Sequence, residues 1–372
     1  MVTRVLLLGG YGNFGGTIAR SLAPDPAMKL LVAGRSRSKA ERFSAGLGAA
    51  NAPEHLAIDL DANDLADRVA RARPDIVIHT VGPFQDQDYR VAHAAIGAGA
   101  HYLDLADARA FVTGIGALDE EARRAGRLVL SGASSVPCLS AAIVDHYRPR
   151  FEHLDSIDFG ISAAQQTNRG LATASGILTY VGKPFRMLLG GRWTIVHGWQ
   201  HLRRVRYPEL GTRWFGDCDI PDLDLMPERY PDVGTVRFGA GHEVALLHFG
   251  TWALSWPVRA RLLPPLRRVA GPLLAFAKLL DPLGSGRSGM HMVLRGRGHE
   301  GEPKIVRFFL VARSAHGPNI PCAPAILLAR RLAGGEQFQP GARPCLDLIG
   351  LREYLAALEG LDIDVIVEGD DA

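Results

Sequence analysis

The chain has 372 residues, 47% of them hydrophobic and 22% charged, a balance that suits an ordinary globular protein with a large core; its length predicts two domains. A net charge of +3 is small for this length and argues against a nucleic-acid partner. No apolar run approaches the roughly 18 residues of a membrane span, and the N-terminal apolar run is too short for a secretory signal.

Val5 to Leu8 are apolar without a break and lead directly into Gly9, Gly10, Gly12 and Gly15. That is the pattern of a buried strand entering a phosphate loop. Gly10, Gly12 and Gly15 fit G-x-G-x-x-G, and Gly9, Gly12 and Gly15 fit a looser G-x-x-G-x-x-G frame. Either frame offers a tight turn, backbone that can approach a pyrophosphate, and close packing of the next helix. That helix is expected from Asn13, with Phe14 in its first turn, to about Leu22, its N-terminus aimed at bound phosphates. A dinucleotide site follows; the plainer alternative is a glycine-rich turn that binds nothing.

A second strand is predicted over Lys29 to Ala33. An acid after this strand would take the ribose 2′-hydroxyl of NAD, whereas an arginine accommodates the 2′-phosphate of NADP. Here Arg35 and Ser36 follow Gly34, so NADP is expected over NAD. Arg37 and Lys39 fall in the first turn of a helix predicted over Ser38 to Leu47.

A third strand, His55 to Ile58, ends at Asp59 and Leu60, which are placed to reach the adenine. A helix follows from Asn63 to Ala72, and then a strand from Ile76 to His79. Thr80, Val81, Gly82 and Pro83 after it occupy the switch-point position, where the nicotinamide half should lie. A helix over Asp88 to Ala98, a strand over His101 to Leu103, a helix over Leu118 to Ala125 and a strand over Arg127 to Leu130 complete a six-stranded dinucleotide-binding domain.

Hydride transfer needs a group that gives or takes a proton. Asp104, at the end of the fifth strand, is expected to face the crevice as that group, with Tyr102 beside it and Cys138 lining the pocket. The plainer readings are a helix N-cap for Asp104 and a small buried side chain for Cys138. Asp107, Arg109, Ser135 and Pro137 are further strand-end candidates. His79 and His101 read as satisfied strand residues, and His316 as a loop histidine worth locating.

Past Leu154 the pattern becomes β-rich. Strands are predicted at Ser156 to Ile161, Trp193 to Val196, Leu202 to Arg206, Thr235 to Phe238, Met290 to Leu294 and Ile305 to Val311. Covering helices are predicted at Gly170 to Val181, His242 to Leu254 and Ala325 to Leu332. In Pro264 to Leu280, the residues Leu266, Val269, Leu273, Phe276 and Leu280 take helical spacing opposite Arg267, Arg268 and Lys278, and Pro272 should kink the helix. Its expected place is the core; a lid, a homodimer contact or a peripheral membrane contact through 264–280 are the alternatives. The four cysteines, at 138, 218, 322 and 345, lack metal spacing and suit reduced thiols in a cytoplasmic protein.

The N-terminal signature, HTVGPF at 79–84, GAHYLDLADARAF at 99–111, SGASSVPCLSAAIVD at 131–145, HGPNIPCAPAILLARRLAGG at 316–335 and GARPCLDLIGLREYL at 341–355 together resemble the saccharopine dehydrogenase-like oxidoreductases. The resemblance implies an α/β chain: a Rossmann-type doubly wound parallel sheet over 1–145 and an α+β substrate and oligomerisation domain on a mixed or antiparallel sheet over 146–315. It also implies that 316–372 returns towards the first domain. The activity implied is hydride transfer between NADP(H) and a small molecule with a C=N, C=O or C=C group. The basic residues with which the best-understood members bind amino-acid carboxylates find no match here. A non-catalytic NADP-binding sensor is the second reading, since no Tyr and Lys pair stands at relay spacing.

Overall fold

The short apolar runs of the first half become strands in the computed structural model, which describes residues 2–167 and 170–369, and all but the edge strand Glu54–Ala57 are largely buried on both faces. The strands β1 (Thr3–Leu8), β2 (Met28–Gly34), β3 (Glu54–Ala57), β4 (Ile76–His79), β5 (His101–Asp104) and β6 (Leu128–Ser131) form one parallel sheet. The helices between them include α1 (Asn13–Leu22), α2 (Arg37–Ser44), α3 (Leu65–Ala72), α4 (Arg90–Gly97), α5 (Arg109–Thr113) and α6 (Asp119–Arg124). Strand order is β6-β5-β4-β1-β2-β3, so the winding reverses between β1 and β4. The crevice of a doubly wound sheet opens at the carboxyl ends of those two strands. Leu8 pairs with Ala33 on one side and His79 on the other, which brings the glycine loop beside Thr80.

A seventh strand, Gly341–Pro344, lies parallel to β6, and the helix Asn319–Ala333 packs on α1. Arg330 ties that helix down by donating to the Ser21 carbonyl at 2.9 Å. The first compact unit is therefore the chain up to Leu139 together with Pro318–Ile349. The second is Ser140–Gly317 together with the chain from Gly350. Residues 316–372, expected to act as one returning segment, divide between the two units, and the first crossing falls after Leu139 rather than at 145.

The second unit contains α7 (Ser140–Tyr147), β7 (His153–Ala163), α8 (Leu171–Tyr180), β8 (Pro184–Leu189), β9 (Arg192–His197), β10 (Arg203–Tyr207), β11 (Gly211–Asp217), α9 (Asp222–Arg229) and β12 (Thr235–His242). It continues through α10 (Ala245–Arg259), α11 (Ala270–Leu279), β13 (Ser288–Arg297) and β14 (Pro303–Ala312). The returned Asn319–Ala333 and Gly341–Pro344 are α12 and β15; α13 (Leu351–Ala356) and β16 (Ile363–Gly369) complete the second unit. Its sheet is mixed: β12 and β7 run parallel, while β7, β13, β14 and β16 pair antiparallel in turn. Both sheet classes are thus those expected.

The segment 264–280 departs from expectation. A 3-10 turn at Leu266–Val269 precedes α11, so Pro272 falls in the helix's first turn, where its missing N–H has no intrahelical acceptor to lose. The anticipated apolar face also splits. Leu266 is buried and Leu273 packs on a small core with Val181, Trp199 and Val258, but Val269 and Phe276 are exposed.

Candidate functional site

The glycine loop is built by contacts that leave no room for side chains. Gly9 has φ +79°, and a Cβ there would lie 2.7 Å from Thr80 Oγ1. A Cβ on Gly15 would sit 2.2 Å from the Gly9 carbonyl oxygen, so α1 rests directly on the turn. Gly12 differs: its Cβ would meet only the Gly9 oxygen, at 3.0 Å, and the residue is exposed. Gly9 therefore makes the turn, Gly15 allows helix packing and Gly12 leaves space for a ligand. That is the looser of the two frames. Gly10 is buried, its Cβ position 3.0 Å from Val32, and it supports the loop from beneath.

A cleft of about 610 Å³ opens beside this loop in the first unit. Of the anticipated cofactor residues, Gly12, Arg35, Asp59, Leu60, Val81, Gly82 and Pro83 line it. Asn13 and Phe14 open α1 directly after Gly12, whose lack of a side chain leaves the helix N-terminus without a side-chain cap. Thr80 does not line the cleft. Its hydroxyl donates to the Leu8 carbonyl at 2.9 Å and braces the loop from behind. Ser36 caps α2, its Oγ accepting from the Lys39 N–H at 3.3 Å.

Among the cleft residues that escaped the sequence reading, two hold its loops in place. Tyr11 lies inside the glycine motif, and its hydroxyl accepts the Ser36 N–H at 3.0 Å, fixing the turn that carries Arg35. An aromatic residue within the loop was the available signal. Gln87 donates from Nε2 to the carbonyls of Val81 at 2.7 Å and Pro83 at 2.9 Å, holding the loop after β4. Nothing local in the sequence marks that bond.

The charges of the cleft are mixed, since Asp59, Asp61, Asp86 and Asp88 line it with Arg35 and Arg90. Asp88 grips Arg90 through two contacts of 2.8 Å and offsets its charge. Arg35, exposed at the end of β2, has no ion-pair partner among the described residues. It is the cation that a ligand anion can claim.

The expected orientation of Asp104 is corrected. Its carboxylate is fully buried, with Oδ1 accepting from Gly132 N at 2.8 Å, Ala106 N at 2.9 Å and Ser131 Oγ at 3.0 Å. Burial raises its pKa to about 6. It is not a helix N-cap either, because Ala108 holds that position for α5. Tyr102 is fully buried as well, its hydroxyl 3.0 Å from His79 Nδ1. Desolvation pushes the phenol well above its usual value and lowers His79 to about 3. His79, Tyr102, Asp104 and Ser131 thus form a polar layer inside the first unit rather than a surface relay. Cys138 is buried in the segment Ser135–Leu139.

Asp107 is the carboxylate of this strand end that stays exposed, accepting from Gln85 Nε2 at 3.3 Å. Desolvation by its neighbours raises its pKa. His101 accepts the Leu128 N–H at 3.0 Å, and in the second unit His316 accepts the Asp362 N–H at 2.8 Å; both bonds join backbone segments. Among the described residues, no group of His, Cys, Asp and Glu could hold a metal ion.

Residues 5–130 match the family described as saccharopine dehydrogenase NADP binding domain. Over that span the chain is similar to the NADP-binding domain of that family. An apo saccharopine dehydrogenase (L-Glu forming) from Saccharomyces cerevisiae shares the fold at TM-score 0.68 and 14% identity, over 98% of this chain and all of that one. Two looser likenesses have TM-scores of 0.42. One is the WlbA dehydrogenase of Thermus thermophilus with NAD and alpha-ketoglutarate, at 13% identity over 96% of this chain and 93% of that one. The other is a Synechocystis biliverdin reductase with biliverdin and NADP+, at 12% identity over 96% of each chain. No curated protein matches this sequence. The chain thus shares the fold of a saccharopine dehydrogenase, and its cleft has the glycine cradle and helix N-terminus that a pyridine nucleotide requires.

Proposed function

We propose that this protein is an NADP-dependent oxidoreductase that transfers a hydride between NADP(H) and a small molecule bearing a C=N, C=O or C=C group. The observation that carries the NADP preference is Arg35, an exposed cation without an ion-pair partner at the position where an acid would take the ribose hydroxyl. Gly12 and the N-terminus of α1 hold the pyrophosphate in this reading, and Asp59 and Leu60 flank the adenine. Val81, Gly82 and Pro83, braced by Gln87, border the nicotinamide half. The nicotinamide supplies the hydride when bound. In this reading Asp107, exposed where Asp104 is buried, takes the role of the carboxylate that holds a substrate amine or exchanges a proton with solvent. The four cysteines form no disulfide and suit a cytoplasmic setting.

Fluorescence titration with NADPH and NADH tests the cofactor, and equal affinities would remove the preference. Absorbance at the nicotinamide band with imines, keto acids and enoyl thioesters tests the activity. Burial of Asp104, Tyr102 and Cys138 favours one second reading, a non-catalytic NADP sensor. Turnover of any panel member would end the sensor reading, whereas tight NADPH binding with no turnover would support it.

A further inference from the structure

The helical layer of the second unit is apolar on its outer as well as its inner side. Leu254, Val258, Leu266 and Leu273 point inward to the small core around Trp199. On the outer side, Pro272, Phe276 and Leu279 follow steps of four and three along α11, and the exposed Val269 in the turn before it and Leu283 in the turn after it extend that stripe. Within that stripe Val269 is 40% exposed, Phe276 52%, Leu279 75% and Leu283 68%. The exposed face of α10 repeats the pattern, with Leu246 at 59% and Trp256 at 47%, and with Gly250 and Ala253 between them. Leu262, in the turn joining the two helices, is 78% exposed. A face left to water carries charges at these positions; an apolar area of this extent marks a surface that something covers.

The charges beside it identify the cover. Residues 244–280 include Arg259, Arg261, Arg267, Arg268 and Lys278 and not one Asp or Glu. Asp281, the next acid, is engaged with the Gln165 side chain at 2.8 Å. Arg259 also lies over the Trp256 ring at 5.6 Å, a cation beside an indole. From this arrangement we infer that the layer docks on an anionic bilayer surface. The Leu, Phe and Trp side chains enter the acyl boundary, and the Arg and Lys side chains meet the headgroup phosphates. Among the described residues no helix is long and apolar enough to cross a membrane, so α10 and α11 lie in the interface. A second copy of this chain fits the same face poorly, because its own 244–280 brings the same cations and no Asp or Glu to pair with them.

Co-sedimentation of the full chain with vesicles tests this, using phosphatidylcholine alone and phosphatidylcholine with phosphatidylserine. The expected result is binding about tenfold stronger to the anionic vesicles, weakened by salt. Phe276→Glu with Leu279→Glu should reduce that binding about tenfold or more, and Arg267→Glu with Arg268→Glu should abolish the preference for phosphatidylserine. Circular dichroism on both variants confirms that the fold is kept. Wild-type protein that stays in the supernatant with both vesicle types overturns the inference, as does binding by both variants equal to wild type. Sedimentation showing a dimer that Phe276→Glu with Leu279→Glu dissolves, without vesicle binding, assigns the face to self-association and overturns it too.

Discussion

Asp104 Oδ1 lies 2.8 Å from the Gly132 N–H, so the carboxylate at the end of β5 fastens the loop that leaves β6. Gly132 has φ +77°, and a Cβ there would sit 2.5 Å from Pro137 Cδ, so only glycine fits the turn that the carboxylate holds. Three donors converge on one oxygen atom, and all are buried with it. Asn offers an equivalent carbonyl oxygen; Ala offers none. Asp104→Asn should therefore cost under about 1 kcal/mol, whereas Asp104→Ala should cost about 2–4 kcal/mol through donors left without acceptors. Urea unfolding of both variants checks the difference. Equal losses would remove the clamp.

The same residue predicts a pH signature. Its folded pKa is raised from 3.8 to about 6, so its stabilising contribution is present below about 4 and lost as pH rises through about 6. His79 acts in the opposite sense. Its folded pKa falls from 6.5 to about 3, so its contribution is present above about 6.5 and lost as pH falls towards about 3. The two contributions partly cancel in the wild type between about pH 4 and 6. Asp104→Asn removes the first and leaves the second, so its stability should climb more steeply with pH over that window. Denaturant melts at several pH values measure this, and parallel curves would mean that Asp104 holds no raised pKa.

How far the fold was legible follows from where the information lay. The strand Ile76–His79 is readable to the residue and the helix Asn13–Leu22 closely, because an apolar run or a glycine boundary within a few positions defines them. Strand β15, with the sequence GARP, has no β-branched or aromatic residue, and only its pairing with β6 makes it a strand. Strand β16, IDVIVEG, does carry β-branched residues, but its partner β14 lies more than 50 residues away in sequence. The position of Asp104 at a strand end was evident, but which way its side chain turns depends on Gly132 and Ser131, 28 and 27 residues on. The glycine cradle was legible for the opposite reason: its closest contacts arise within seven residues of chain and against Thr80, just past the adjacent strand.

Cofactor choice is tested at Arg35. If the Arg35 guanidinium pairs with the 2′-phosphate, Arg35→Ala should weaken NADPH binding about ten- to hundredfold and leave NADH nearly unchanged, since only the former carries that phosphate. Fluorescence titration of both nucleotides reads the split directly. Equal losses for the two would give Arg35 a structural role.

The glycine loop separates folding from binding. Gly15→Ala forces a Cβ to within 2.2 Å of the Gly9 carbonyl and should destabilise the domain by several kcal/mol. Gly12→Val adds its side chain towards the cleft, so the protein should melt near the wild-type temperature while calorimetry finds no nucleotide binding. Unchanged affinity in the folded Gly12→Val variant would remove the loop from the site.

Tyr11 joins the loop to the turn that carries Arg35, and its role can be isolated. The hydroxyl accepts the Ser36 N–H at 3.0 Å, and the ring occupies the space beside Gly34, where a Cβ would come within 2.5 Å of the Tyr11 oxygen. Tyr11→Phe keeps the ring and loses the acceptor, which should cost about 1 kcal/mol of stability. If the bond acts by holding the backbone from which Arg35 reaches the phosphate, NADPH affinity should fall several-fold and NADH affinity should not. The double variant distinguishes positioning from contact. With Arg35 already replaced by Ala there is no guanidinium left to position, so Tyr11→Phe should cost no further NADPH affinity. An additive loss would show instead that the Tyr11 hydroxyl meets the nucleotide directly.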